Sequence, residues 1–228
     1  LRATDIRLNG DGSSYKLALN GVMFEVSCRI PGEFNVYNSL AAIAVGLEVG
    51  LKPNQAIEGI AALEGVEGRM ATVDEGQPFS VIIDFAHTPD SFERLLGDLR
   101  KATKGKLVVM FGSAGRRDES KRAIQGEIAG RLADEVVVTE EDDRDIDGNG
   151  IMNQIAGGAE SAGKTRDKDL FLILDRPTAI RFAVSRVAGA DDAVVLLGKG
   201  HEKTIERADG EHPWDETAEV RSALSATK

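Results

Sequence analysis

The sequence predicts an α/β fold: a mainly parallel sheet with helices on both faces, preceded by a smaller α+β unit. Three observations carry this expectation. From about residue 70 onward, five short runs rich in Val, Ile, Leu and Phe alternate with amphipathic helical segments, the pattern of strands buried on both faces. The first thirty residues instead alternate apolar and polar side chains around Asn20-Gly21, a strong two-residue hairpin signal. Between the two regions lies a glycine-rich joint, GVEGR at 65–69.

Taken in order, TDIRLN, SYKLALN and VMFEVSCRI read as three strands closed by Pro31-Gly32. Leu40, Ile43, Ala44 and Leu47 form one helical stripe ended by Gly50, and a second helix runs from Pro53 to about Leu63. FSVIIDF (79–85) is the first strand of the parallel sheet, followed by PDSFERLLGDLRKA with Phe92, Leu95, Leu96 and Leu99 at helical spacing. KLVVMF (106–111) precedes a helix over about 120–132, and EVVVT (135–139) one over about 149–162. LFLILD (170–175) precedes PTAIRFAVSRVA, and AVVLL (193–197) is the fifth run.

Composition narrows the function classes. A formal charge of −10 over 228 residues argues against a broad electrostatic grip on nucleic acid or anionic membrane. A bound anion must therefore meet a local basic cluster. The single cysteine, Cys28, excludes an intrachain disulfide and suits a reducing, cytoplasmic compartment. No apolar run approaches the roughly 20 residues of a membrane helix. Opening at Leu1 in strand-like sequence, without a visible signal peptide, the chain reads as a fragment.

GAESAGKT (158–165) fits the phosphate-loop pattern G-x-x-x-x-G-K-[ST] letter for letter. A phosphate loop, however, needs a strand before its first glycine and a helix starting at its Lys-[ST] pair. Here the residues before Gly163 read as helix, with Ile151, Ile155 and Ala159 on one face, and TRDKD after it as a loop leading into a strand. Gly163 is expected to end the helix in a left-handed conformation, with Lys164 complementing the helix dipole.

Ligands of open α/β sheets bind beyond the carboxyl ends of the strands, so the residues following each apolar run hold the candidates. GSAGRRDESKR places Arg116, Arg117, Lys121 and Arg122 within seven residues; arginine forks beside a helix start suit a carboxylate or phosphate. EEDDRD offers Glu141 or Asp142 to an ammonium and Arg144 to a carboxylate, the pattern an amino-acid zwitterion requires. GKGHE sets glycines on both sides of Lys199, where backbone can approach a ligand, and adds Glu202 as a second ammonium partner. His87, His201 and His212 lack metal-ligand spacing, so no metal site is expected in this chain.

FNVYNSLAAIAV (34–45), GVEGRM (65–70), DFAHTPDS (84–91), FGSAGRRDESKR (111–122) and GKGHE (198–202) together resemble the Mur ligases, in particular the branch that adds a diamino acid to UDP-N-acetylmuramoyl-dipeptide. The resemblance runs over nearly the whole chain. It implies that residues 1–67 are the C-terminal portion of a central ATP-binding domain, and that residues 68–228 form a Rossmann-like ligase domain binding the amino acid. The phosphate loop and most ligands of Mg²⁺ would then precede Leu1. By resemblance, Asn35 and Asn38 would approach the adenine, Arg69 the ATP phosphates, Asp84 the ribose hydroxyls, and His87 would border the nucleotide. Arg117, Asp142, Arg144, Gly198 and Glu202 would hold the amino acid, and Arg69 and Lys121 would act in the reaction itself. The branch usually shows D-N-P-R where this chain has Glu141-Asp142-Asp143-Arg144. The retained Arg favours a distal carboxylate, and the lost Asn and Pro leave lysine or another diamino acid open. The implied chemistry is ATP-dependent amide formation through an acyl phosphate, by a monomer acting on small molecules. A cyanophycin-synthetase-like ligase and a non-catalytic amino-acid-binding domain are the competing readings.

Overall fold

The computed structural model describes residues 1–9 and 12–226. The chain divides into two compact units, Leu1–Val66 and Glu67–Lys228.

In the first unit, β1 (Arg2–Asn9), β2 (Gly12–Leu19) and β3 (Val22–Cys28) form an antiparallel sheet in that order. Asn20 and Gly21 both take positive φ, 49° and 80°, and pair Leu19 with Val22, as an Asn-Gly hairpin turn requires. Helices α1 (Glu33–Glu48) and α2 (Pro53–Ala62) cover one face, burying Tyr15, Leu17 and Val26 against Val36, Ile43 and Ala56. The α1 stripe is Val36, Leu40, Ile43 and Leu47, whereas Ala44, expected on it, is exposed. The buried arc keeps Leu40, Ile43 and Leu47 and extends one turn toward the helix start, to Val36.

The second unit is built on a sheet in the order β4-β5-β9-β6-β7-β8. Its strands are β4 (Ala71–Thr72), β5 (Ser80–Asp84), β6 (Leu107–Phe111), β7 (Glu135–Val138), β8 (Leu170–Leu172) and β9 (Ala193–Leu197). Every pair from β5 to β8 is parallel, and β4 runs antiparallel to β5. The connecting helices are α3 (Pro89–Ala102), α4 (Ser120–Leu132), α5 (Gly148–Ser161), α6 (Arg176–Ser185) and α7 (Glu216–Ser225). Helices α6 and α7 pack on the face carrying Ile83, Val108, Met110, Val194 and Leu196. On the other face, Phe111 meets Phe92 of α3 with ring centroids 4.8 Å apart, and Arg131 of α4 bonds Glu93 of α3 at 2.5 Å. The expected α/β architecture, helices on both sides of a mainly parallel sheet, is thus observed.

Four elements went unread in the sequence. These are β4, the antiparallel strands β10 (Thr204–Arg207) and β11 (Gly210–Pro213), and α7. The strand β8 is also shorter than LFLILD. Asp175 is spent capping α6, its carboxylate accepting the Thr178 N–H at 2.9 Å.

The GKT stretch is a helix end. Gly163 has φ 96°; its N–H reaches the Glu160 carbonyl at 2.9 Å and the Lys164 N–H reaches the Ala159 carbonyl at 3.1 Å, the double bond of a Schellman termination. These amides are consumed by the helix, so none is aimed at a phosphate.

Helices α4 and α5 touch through glycine. A Cβ on Gly126 would overlap the Ile155 carbonyl, and one on Gly158 would overlap the Ala123 carbonyl. Gly158→Ala is therefore expected to destabilise by about 1–3 kcal/mol, the usual cost of overpacking. The adjacent Gly157 has open space beside it, and Gly157→Ala is expected to stabilise by up to about 1 kcal/mol through helix propensity. Urea unfolding of both variants checks this; equal effects would show that the helices do not meet there.

Candidate amino-acid and nucleotide site

Because β5, β9, β6, β7 and β8 are parallel, their outgoing loops gather at one edge. The chain runs outward from β6 to β8 and then returns to place β9 between β5 and β6. This reversal is where such sheets open a crevice. The loops there are bonded to one another. Gly115 N–H meets the Asp142 carbonyl at 2.8 Å, Arg144 N–H the Glu206 carbonyl at 3.1 Å, and Gly198 N–H the Asp84 carbonyl at 3.2 Å.

On the β5 side, Asp84 is buried and accepts from Met70 N–H at 2.8 Å and Ala86 N–H at 2.7 Å, one on each carboxylate oxygen. Burial raises its pKa, and the two N–H groups and nearby Arg69 oppose that shift. Asp84, which the resemblance gives to the ribose, also fastens the 69–70 segment to the end of β5. Arg69 is exposed, its guanidinium 4.9 Å from the Phe85 ring centroid. His87 and His201 border the same ring, at 4.8 and 5.1 Å. His87 Nδ1 lies 2.9 Å from the Phe85 carbonyl, and Lys121 Nζ donates to the His87 carbonyl at 3.0 Å. Gly68 is tightly enclosed: a Cβ there would overlap the backbone of Gly200 and His201, which explains the glycine of the Gly-Arg pair.

The 198–202 turn carries a residue whose importance the sequence reading missed. Lys199 is 1% exposed, and its Nζ lies 2.8 Å from Asp142 Oδ1 and 2.7 Å from Glu202 Oε2. Asp142 and Glu202 were both assigned to a substrate ammonium; each already faces an ammonium from within the chain. Asp142 Oδ1 also accepts the Glu206 N–H at 2.9 Å, which ties in the β10–β11 hairpin. Glu141 is buried, and burial raises its carboxyl pKa. Its carboxylate lies where a Cβ on Gly198 would fall. Arg144, expected to clamp a distal carboxylate, donates to Glu206 Oε2 at 2.7 Å and to the Gly115 carbonyl at 2.5 Å. Asp209-Gly210, a hairpin signal like Asn20-Gly21, could have revealed the hairpin that presents Glu206.

The basic cluster separates into different roles. Arg116 is ion-paired with Asp145. Arg122 is 1% exposed and donates to Gln154 Oε1 at 2.6 Å and the Ala114 carbonyl at 3.3 Å, so it is an internal support and not part of an anion site. Arg117 is exposed and has no ion-pair partner among the described residues. Arg116 and Arg144 take left-handed φ, 54° and 57°, a strained state concentrated at functional loops.

In the first unit, Asn35 is buried and donates to the Pro31 carbonyl at 2.7 Å, and Asn38 donates to Asn35 Oδ1 at 3.0 Å. Among the described residues, no three His, Cys, Asp or Glu side chains are grouped to hold a metal ion. No helix among them is long and apolar enough to cross a membrane.

This edge defines a parallel α/β domain with charged groups suited to a small, doubly charged ligand. The chain belongs to the Mur ligase family. Residues 68–200 match the family model described as Mur ligase, glutamate ligase domain. The UDP-N-acetylmuramyl-tripeptide synthetase of Roseiflexus sp. (strain RS-1) is 43% identical over 99% of this chain and 44% of its own length. That of Deinococcus radiodurans is 43% identical over 98% and 45%. A solved UDP-N-acetylmuramoyl-L-alanyl-D-glutamate–2,6-diaminopimelate ligase superposes with a TM-score of 0.67 at 31% identity, over 99% of this chain and 45% of that one. The chain thus spans under half the length of the relatives it matches.

Proposed function

We propose that this chain supplies the amino-acid acceptor site, and part of the ATP site, of an ATP-dependent ligase joining a diamino acid to UDP-N-acetylmuramoyl-dipeptide. In this reading residues 1–67 are the end of a central ATP-binding domain and residues 68–228 the C-terminal ligase domain of a cytoplasmic, monomeric enzyme. The carrying observation is the exposed Arg117, without an ion-pair partner among the described residues, on a loop bonded to the one that holds Asp142, which in turn meets Lys199. A cation on one loop and net negative charge on a loop bonded to it suit an amino acid's carboxylate and ammonium. Gly198 would let backbone approach the substrate.

ATP activates a carboxylate as an acyl phosphate, which the amine then attacks with loss of phosphate. Arg69 and Lys121 are suited to the charge developing on the transferred group. The Asp84 carboxylate has acceptor capacity beyond its two backbone bonds for the ribose; His87 would border the nucleotide, and Asn35 and Asn38 would face the adenine. The described residues do not fit a Mg²⁺ site, since no three His, Cys, Asp or Glu side chains are grouped among them.

Arg144 favours lysine over a diamino diacid, because Glu206 already occupies its guanidinium. In a full-length enzyme, Arg117→Ala is expected to lower kcat/KM for the amino acid about tenfold to a hundredfold, the worth of one charged hydrogen bond, with the KM for ATP unchanged. Arg144→Ala should affect lysine and diaminopimelate alike. The check is amino-acid-dependent phosphate release with each substrate. No release with either sinks the ligase reading, and a selective loss of diaminopimelate in Arg144→Ala restores the diacid.

A further inference from the structure

The geometry points to Lys199 as a positioning residue that sets Asp142 and Glu202 as one carboxylate pair for a single substrate ammonium. This rests on the amino-acid reading above and goes beyond it, since Lys199 itself touches no substrate.

The turn that carries Lys199 is shaped to bring its side chain inward. Gly198 and Gly200 flank it at φ 102° and 49°, conformations that side-chain-bearing residues rarely adopt. Space forbids larger residues as well. A Cβ on Gly200 would come within 2.7 Å of Phe85 Cβ, and one on Gly198 would overlap the Glu141 carboxylate. Glu202 N–H closes the turn on the Lys199 carbonyl at 2.9 Å. The result is an ammonium that is 1% exposed and reaches carboxylates from two separate loops.

A buried ion pair rarely gives more stability than well-packed apolar side chains of similar volume. Stability alone is therefore a weak reason for this arrangement. Charge accounting supplies a better one. Two carboxylates and one ammonium leave a net charge of −1, enough for one further cation. Without Lys199, Asp142 and Glu202 would repel each other and lose the cation that holds them to a common point. They would then present a poorer seat to an amine. Of the partners Lys199 holds, Glu202 is the more exposed, at 36% against 16% for Asp142. Glu202 is thus the one presented to ligand, while Asp142 is anchored from behind by Glu206 N–H.

The test uses the full-length ligase with Lys199→Met and Lys199→Gln, and Lys199→Arg as the charge-retaining control. The neutral variants are expected to raise the amino-acid KM about tenfold or more while leaving the KM for ATP within about twofold. Lys199→Arg should recover much of the loss. A folded neutral variant with wild-type amino-acid KM overturns the proposal. So does equal loss toward ATP and amino acid, or failure of both neutral variants to fold, since each marks Lys199 as purely structural. If wild-type enzyme shows no amino-acid-dependent turnover, the ligase reading itself falls, which these variants cannot mimic.

Discussion

Replacing Arg176 by Ala is expected to destabilise the second unit by about 3–5 kcal/mol, the penalty for breaking a buried ion pair. Arg176 is 0% exposed. Its guanidinium donates to Glu216 at 2.6 and 3.0 Å, to the Glu140 carbonyl at 2.9 Å and to the Leu197 carbonyl at 3.2 Å. The bonds join the first turns of α6 and α7 to the ends of β7 and β9, directly beneath the candidate site. Truncation would leave the Glu216 carboxylate buried with the Trp214 indole N–H, at 2.7 Å, as its remaining partner among those bonds. It would also strand two carbonyls. The measurement is the urea midpoint at constant slope. Arg176→Met combined with Glu216→Leu should lose less than the two single changes summed, because no charge is left alone. A loss under about 1 kcal/mol for Arg176→Ala would show that the pair contributes little beyond its packing.

Asp143→Asn is expected to stabilise the chain at neutral pH by about 1–3 kcal/mol. Asp143 is 8% exposed. Burial, with Glu140 and Asp142 nearby, raises its carboxyl to about 6 against the opposing pull of the Glu141 N–H and Arg207. The folded state therefore holds this proton more tightly than the unfolded chain, whose value is 3.8. Between about pH 4 and 6 the folded state binds more protons, so this group's contribution to stability falls as pH rises through that window. Asn keeps the oxygen that accepts the Glu141 N–H at 3.3 Å and removes the charge. Unfolding at pH 5 and pH 8 should show the gain concentrated at the higher pH. An equal gain at both values would mean that Asp143 is not titrating.

Much of the fold was legible because its signals are local. The five apolar runs, the Asn20-Gly21 turn and the stripe of Phe92, Leu95, Leu96 and Leu99 each reflect a period a short segment imposes on itself. The false phosphate loop could be rejected for the same reason, since strand and helix order around Gly163 is a local property. The shortest elements were not legible. Thr204–Arg207 and Gly210–Pro213 are too short for periodicity, and β4 exists only through its pairing with β5.

The candidate site divides along the same line. Sequence alone determined which charged residues lie at or beyond the ends of the strands, and so where Asp84, Arg117, Asp142 and Glu202 fall. Only the tertiary structure decided which of those charges remain available. Arg144 is taken by Glu206, 62 residues away, Asp142 by Lys199, 57 residues away, and Arg122 by Gln154, 32 residues away. Such pairings depend on the order in which parallel strands assemble. That order is set by long-range packing of near-identical Val- and Leu-rich strands, whose sequences do not specify their neighbours.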